Sequence, residues 1–337
     1  MQVKDIGEHQ LLKIINQYCD RTKNGDDGAI FSIDKDKKLV VTTDILVEDV
    51  HFSDKTTPPH AIGYRAVTAN LSDVVAMGGI PKSITVGLSL RKDTPVSWVE
   101  SLYQGMYDCL SLFNCTIIGG DITSSKVNTI AITALGEVSE NQAIYRHTAQ
   151  VGDLIVITGN HGLSRAGLEI LLYPDKYRHI NPEIREKVIF AHQYPKPRLD
   201  VIKALSGLGC QGKITGMDSS DGLGDAIIQI CEQSKVGSIV NLRKIPLDDA
   251  ILAMTDFDTA LHWALYGGED FELVLCVNSA IAYSLQEKFP QECHIIGEIT
   301  PSDKIELIDE QKVYAKRLLN QKKAYQHFSH YPSFVDL

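Results

Sequence analysis

Five short segments of this chain set carboxylates beside glycine or at the expected ends of strands. They are Gly25-Asp26-Asp27-Gly28, Thr42-Thr43-Asp44, Gly119-Gly120-Asp121, Asp218-Ser219-Ser220-Asp221-Gly222 and Gly267-Gly268-Glu269-Asp270. Glycine lets backbone approach a ligand and adopt positive φ, while a neighbouring carboxylate supplies hard oxygen for Mg2+. Carboxylates gathered at one place repel one another unless cations intervene. Convergence of these segments would therefore make a site where metal ions bridge phosphates and neutralise charge during phosphoryl transfer. Taken singly, each segment also reads as an ordinary turn, because Asp caps helices and tolerates left-handed backbone. Their recurrence, with Ser or Thr beside two of them, favours metal-phosphate chemistry. Asp73, by itself an ordinary exposed helix aspartate, joins the set through Asn70, three residues earlier on the same expected helix face.

Other chemistries lack their residues. The chain has no GxxxxGK[ST] loop, no GxGxxG after a strand, no HRD or DFG set, no HExxH, no Cys/His spacing for zinc and no GxSxG elbow. A nucleotide, if used, is bound by another fold. The formal net charge of −10 opposes nucleic acid or an anionic membrane as partner, and no local basic patch overcomes it. Seven scattered cysteines without a CxxC pair read as reduced core thiols. The first residues contain acids and no apolar run, and no stretch approaches the roughly 20 apolar residues of a span. The expectation is a cytoplasmic protein without a signal or anchor.

The elements that must carry these residues follow from the apolar spacing. A helix is expected over 8–19, then a strand over 38–44 with Asp44 at or just beyond its C-terminal end. A helix over 59–78 precedes a strand over 83–90, a helix over 97–113, a strand over 116–118 ending in Gly119-Gly120-Asp121, and a strand over 128–138. A second unit starts near residue 150 with a strand over 154–158 and a glycine loop entering a helix. Helices around 183–206 come next, followed by a strand over 213–217 ending in the Asp218 turn and a helix over 224–233. The 267–277 segment is a glycine turn entering a strand. The 337 residues fit about two domains, and the irregular alternation favours α+β over a doubly wound sheet.

The motifs GDDGA (25–29), VTTDILVEDVHF (41–52), TANLSDVVAMGGIP (68–81), GGDIT (119–123), MDSSDGL (217–223) and GGEDFEL (267–273) occur in an order and spacing that closely resemble the thiamine-monophosphate kinase family. That family lies within the aminoimidazole-ribonucleotide-synthetase-like ATP-binding superfamily, and the resemblance runs from about residue 5 to Phe328. It implies a two-domain α+β fold. Residues 1–150 would form an N-terminal mixed sheet with helices that binds ATP and Mg2+ and pairs into a dimer barrel. Residues 151–337 would form a C-terminal α+β domain completing the active site. The implied activity is direct in-line transfer of the ATP γ-phosphoryl group to thiamine monophosphate, with several Mg2+ ions, in a homodimer. No residue is expected as a covalent nucleophile.

Residue by residue, the resemblance implies metal contacts at Asp27, Thr42, Thr43, Asp44, Asp73, Asp121, Asp218 and Asp221. It implies ATP contacts at Tyr103, Gly120, Asp121, Arg146 and Ser220, and thiamine-phosphate contacts at His51, Glu269 and Tyr325. Arg146 suits a phosphate because its guanidinium is permanently charged and can bind in a bidentate manner. The sequence departs from the family pattern at Gly28, Asp49, Ile122 and Ser219, none of them an implied ligand. Asp49, where glycine is common, adds charge near His51. The nearest rivals are a sister ATP-using synthetase and a catalytically silent nucleotide- or Ca2+-binding regulator. Against selenophosphate synthetase, the N-terminus lacks a Cys-Lys glycine-rich segment, and VEDVHF and GGEDFEL match the thiamine family better than the purine enzyme.

Overall fold

The structure is a computed structural model that describes residues 1–20, 22–23, 28–30, 32–208 and 214–319. Asp27 and Tyr325 lie outside the described residues. The described chain forms two compact units, one of Met1–Val74 with Gly79–Ser139, the other of Val75–Gly78 with the residues from Glu140 onward.

In the first unit α1 (Val3–Ile15) leads to β1 (Lys37–Val47), α2 (Pro59–Ala76), β2 (Ile80–Leu90), α3 (Val96–Ser111), β3 (Thr116–Ser124) and β4 (Thr129–Ser139). Its four-stranded sheet has the order β1-β4-β2-β3. β1 and β2 each run antiparallel to β4, while β3 lies parallel to β2. Parallel neighbours need a crossover, which α3 supplies, so the sheet is mixed. One side of β1 is shielded and the other is not: Leu46 is buried, whereas Leu39, Val41 and Ile45 are exposed. α2 is buried almost all round, through Ala61, Ile62, Ala66, Val67, Leu71, Val74 and Val75. Each fully buried Ile, Leu or Val contributes roughly 1.5–3 kcal/mol, so α2 is fixed firmly.

Two expectations change here. Asp44 lies inside β1, because Ile45-Leu46-Val47 continues the apolar run and pairs with β4 as far as Thr129. Gly119-Gly120-Asp121 likewise lies inside β3. β3 is the last strand in the order of this sheet, and its pairing with β2 shifts register between Ile84 and Thr85, just before the two glycines.

The second unit comprises β5 (Leu154–Thr158), α4 (Leu163–Leu172), α5 (Pro182–Gln193), α6 (Leu199–Gly207), β6 (Thr215–Asp218), α7 (Leu223–Ser234) and β7 (Gly237–Asn241). It continues with α8 (Asp249–Leu252), α9 (Phe257–Tyr266), β8 (Leu273–Val277), α10 (Ser279–Lys288), β9 (Cys293–Thr300), β10 (Ile305–Ile308) and β11 (Arg317–Leu318). The sheet order is β11-β10-β7-β9-β5-β8-β6, and among its neighbours only β10 and β7 are parallel. α7 buries Leu223, Ala226, Ile227, Ile230 and Cys231, an i, i+3, i+4, i+7, i+8 stripe, in the core that holds Ile155, Met217 and Val274. That packing fixes the turn between β6 and α7, which carries Asp218, Ser220 and Asp221. Among the described residues no helix is long and apolar enough to cross a membrane, and six cysteines are free thiols.

Candidate active site

In the first unit β1 and α2 bring four polar residues together. The Thr42 hydroxyl donates to Asp73 Oδ2 at 2.5 Å, and the Asp44 amide donates to Asn70 Oδ1 at 3.0 Å. Asn70 is fully buried, and its Nδ2 donates to the Ala66 carbonyl at 2.9 Å. Both faces of its amide are thus used, which fixes the spacing of β1 and α2 at the two carboxylates.

The strand register sorts the other expected ligands. Gly120 falls in the row Asp44–Ile132–Val86–Gly120. A Cβ at Gly120 would lie 2.1 Å from the Val86 carbonyl oxygen, so the strand approach there requires glycine. Asp121 falls one row further, with Gly87, Ala131 and Ile45. Thr43 shares its hydroxyl with Thr133 at 2.8 Å. Among the described residues no group of three or more His, Cys, Asp or Glu side chains is assembled for a metal ion. The oxygen donors of this unit, Thr42, Asp44 and Asp73, nevertheless have the chemistry that suits Mg2+, which takes hard oxygen, retains water and binds through one or two carboxylates plus substrate phosphates.

His51 closes the turn after β1. Its amide donates to the Val47 carbonyl at 2.9 Å, and the Val47 amide donates to His51 Nδ1 at 3.0 Å. With Nδ1 accepting, the neutral ring carries its proton on Nε2. Asp49, in the same turn, has φ of +65°, the left-handed region in which glycine is unstrained and Asp is tolerated better than most. Tyr103 is placed differently from the expectation. It is 2 % exposed in α3, beside Tyr18 at 5.9 Å between ring centroids, and burial pushes its phenol well up. It belongs to the core of the unit and is left out of the nucleotide-contact set.

In the second unit the two remaining motifs dock on each other. The Glu269 amide donates to the Ser220 carbonyl at 2.7 Å, and the Ser219 amide to the Glu272 carbonyl at 2.8 Å. Ser220 Oγ donates to Asp218 Oδ1 at 3.1 Å. Gly268 permits this: φ is +68°, and a Cβ would lie 2.7 Å from the Ser220 carbonyl oxygen. Asp218 is buried while Asp221 is exposed.

Asp270 serves the scaffold. It accepts from the amides of Gly162 at 2.7 Å and Ser164 at 2.9 Å, capping α4. Burial outweighs those two donors and pushes its carboxyl up to about 7. Glu272 is held by the Thr158 hydroxyl and by Arg198, and its pKa is also raised by burial. Arg146 lies in the segment before β5, and its Nη1 donates to Gln229 Oε1 at 2.7 Å. Neither Gln229 nor Asp225 drew attention in the sequence. Their one signal is an i, i+4 polar pair directly after the Asp218 turn.

Known proteins match this architecture. The N-terminal domain model of AIR synthase related protein matches residues 25–138, and the corresponding C-terminal domain model matches 150–310. The thiamine-monophosphate kinase of Synechococcus elongatus is 43 % identical over 330 residues, covering 97 % of this chain and 98 % of that protein. The crystal structure of thiamine-monophosphate kinase from Stenotrophomonas maltophilia superposes with a TM-score of 0.76 at 27 % identity, covering 90 % of this chain and 95 % of that one. AaThiL complexed with AMPPCP and TMP gives 0.72 at 29 % identity, covering 95 % and 98 %. The two-unit α+β fold is therefore the AIR-synthase-related one, and the chain belongs to the thiamine-monophosphate kinase family.

Proposed function

We propose that this chain transfers the γ-phosphoryl group of ATP to thiamine monophosphate, giving thiamine diphosphate and ADP. The observation that carries the reading is the 43 % identity over nearly the whole chain to a thiamine-monophosphate kinase. The structure complexed with AMPPCP and TMP supports the pairing of an ATP analogue with TMP in a relative of the same fold. The acceptor is a phosphate oxygen of thiamine monophosphate. It forms a bond to the γ-phosphorus as the bond from that phosphorus to the β,γ-bridging oxygen breaks, and ADP leaves with the electron pair. No protein nucleophile is required, so the side chains position and neutralise.

In this reading Asp27, Thr42, Thr43, Asp44, Asp73, Asp121, Asp218 and Asp221 supply oxygen for Mg2+. Once bound, Mg2+ would offset the charge of the phosphates. Gly120, Asp121, Arg146 and Ser220 contact ATP. Arg146 brings a permanent positive charge, and the Ser220 hydroxyl is already oriented by Asp218. His51, Glu269 and Tyr325 contact thiamine monophosphate, with the His51 proton held on Nε2. Residues 1–150 serve as the ATP-, Mg2+- and dimer-forming domain and 151–337 as the domain that completes the site. A homodimer is supported by the exposed apolar side of β1, where Val41 and Ile45 are 55 % and 53 % exposed within a sheet. The cytoplasm, where ATP is available, is the compartment this reading requires.

The test is product analysis with purified protein, ATP, Mg2+ and thiamine monophosphate, beside free thiamine and a control lacking acceptor. Equal amounts of ADP and thiamine diphosphate, formed only with the monophosphate, support the reading. ATP consumption without that product transfers the fold to a sister activity. ATP binding without consumption favours the silent regulator.

A further inference from the structure

The guanidinium of Arg146 is held by a relay on the helix that leaves the Asp218 turn. Asp225 and Gln229 are four residues apart on α7. The Gln229 Nε2 donates to Asp225 Oδ2 at 2.5 Å, and its Oε1 accepts from Arg146 Nη1 at 2.7 Å. An amide has one donor side and one acceptor side. The carboxylate takes the donor side, which leaves the oxygen facing the guanidinium and fixes the sense of the amide. Asp225 is buried, which pushes its carboxyl up, while Gln229 and the charge of Arg146 pull it down.

The main chain of Arg146 is fixed from both sides as well. Ser234, at the end of α7, donates from Oγ to the Arg146 carbonyl at 3.0 Å and accepts from the Ala149 amide at 3.1 Å. The Gly216 amide donates to the Tyr145 carbonyl at 3.2 Å, and Thr148 and Thr215 share their hydroxyls at 2.6 Å. Arg146 is thereby clamped between β6 and α7, the two elements that bound the Asp218-Ser219-Ser220-Asp221 turn. Among the described residues Gln229 is the one protein hydrogen-bond partner of the guanidinium. Toward the described residues one of its five N–H donors is used, and a guanidinium can offer the others to a phosphate.

We infer that Gln229 and Asp225 are positioning residues for ATP: they hold Arg146 in the orientation in which it meets the nucleotide's phosphates, and keep it in register with Ser220. The inference rests on Arg146 being a nucleotide contact. A long flexible side chain orders itself at an entropic cost, and a preset guanidinium has met that cost before ATP arrives. The relay therefore acts on ATP affinity and leaves the affinity for thiamine monophosphate alone.

Steady-state kinetics of Gln229→Met, Arg146→Ala and the double variant test this, with melting temperatures taken alongside. Gln229→Met should raise KM for ATP about tenfold, the scale of a lost hydrogen bond to a charged group. KM for thiamine monophosphate should stay within about twofold, and Gln229→Met should have no further effect once Arg146 is alanine. Asp225→Asn, close in shape, keeps an acceptor for Gln229 but removes the charge that fixes the amide; it should raise KM for ATP by a smaller factor. Unchanged KM for ATP in Gln229→Met and Asp225→Asn, beside a raised one in Arg146→Ala, overturns the positioning role alone. So does a double variant in which the two effects multiply. Unchanged KM for ATP in Arg146→Ala overturns the nucleotide role of Arg146 and the relay with it.

Discussion

The Thr42 hydroxyl on β1 donates to the Asp73 carboxylate on α2 at 2.5 Å, tying together two residues 31 positions apart in the chain. The contact orients the carboxylate through one of its oxygens. Asp73→Asn keeps an acceptor for Thr42 but removes the charge. Turnover should fall by on the order of 10²-fold or more, while the melting temperature changes little. Turnover near the wild-type level in Asp73→Asn would remove Asp73 from the phosphate-neutralising set.

Asn70 predicts the opposite pattern, a stability effect first. Its side chain satisfies the Asp44 amide and the Ala66 carbonyl in a fully buried position. Asn70→Leu leaves both without that partner, and should cost about 1–3 kcal/mol per buried unsatisfied group. Denaturant unfolding measures it. A loss under about 0.5 kcal/mol would mean that other groups satisfy these atoms.

The elements that carry Asp44 and Asp73 were legible in the sequence, because β-branched runs and a 3.6-residue apolar period mark β1 and α2 plainly. The positions of Asp44 and Asp121 within their strands were not. The expectation took polar residues and glycines as strand ends, whereas pairing with β4 and β2 carries the strands through. Tyr103 lies in the apolar stripe of α3 and is core, a placement that the spacing of Val99, Leu102, Tyr103 and Met106 already contains. Asp49 is understood only with the backbone in hand: its positive φ accounts for glycine being common there. The docking of the Asp218 and Glu269 turns and the relay to Arg146 join residues far apart in sequence, which local pattern does not encode.

Acid sensitivity should centre on His161. It is fully buried, and burial with the nearby His294 lowers its pKa to about 3, outweighing the Thr158 backbone, which acts the other way. The unfolded state takes up a proton near 6.5 and the folded state near 3, so the unfolded state binds more protons between those values. Stability attributable to this histidine is therefore lost as pH falls from about 6.5 toward about 3, on a scale of a few kcal/mol. Asp270, raised to about 7, acts with the opposite sign, favouring the fold as pH falls from about 7 toward 4. Comparing His161→Leu with the wild type at each pH isolates the histidine. The variant should gain relative stability from pH 6.5 to about 4, and a pH-independent difference would contradict the assignment.

The exposed apolar side of β1 predicts self-association. Val41→Asp, on that side of the strand, should shift sedimentation from dimer toward monomer while the far-ultraviolet circular dichroism is retained. A wild-type protein sedimenting as a monomer at micromolar concentration, or a variant that still dimerises, would place the interface elsewhere or remove it.

The most direct test of the central claim follows the phosphoryl group itself. With ATP labelled in the γ-phosphate, Mg2+ and thiamine monophosphate, the label should appear in the terminal phosphate of thiamine diphosphate, in an amount equal to the ADP formed. With acceptor omitted, no label should remain on the protein. Label recovered as orthophosphate, with thiamine monophosphate unchanged, would contradict the account.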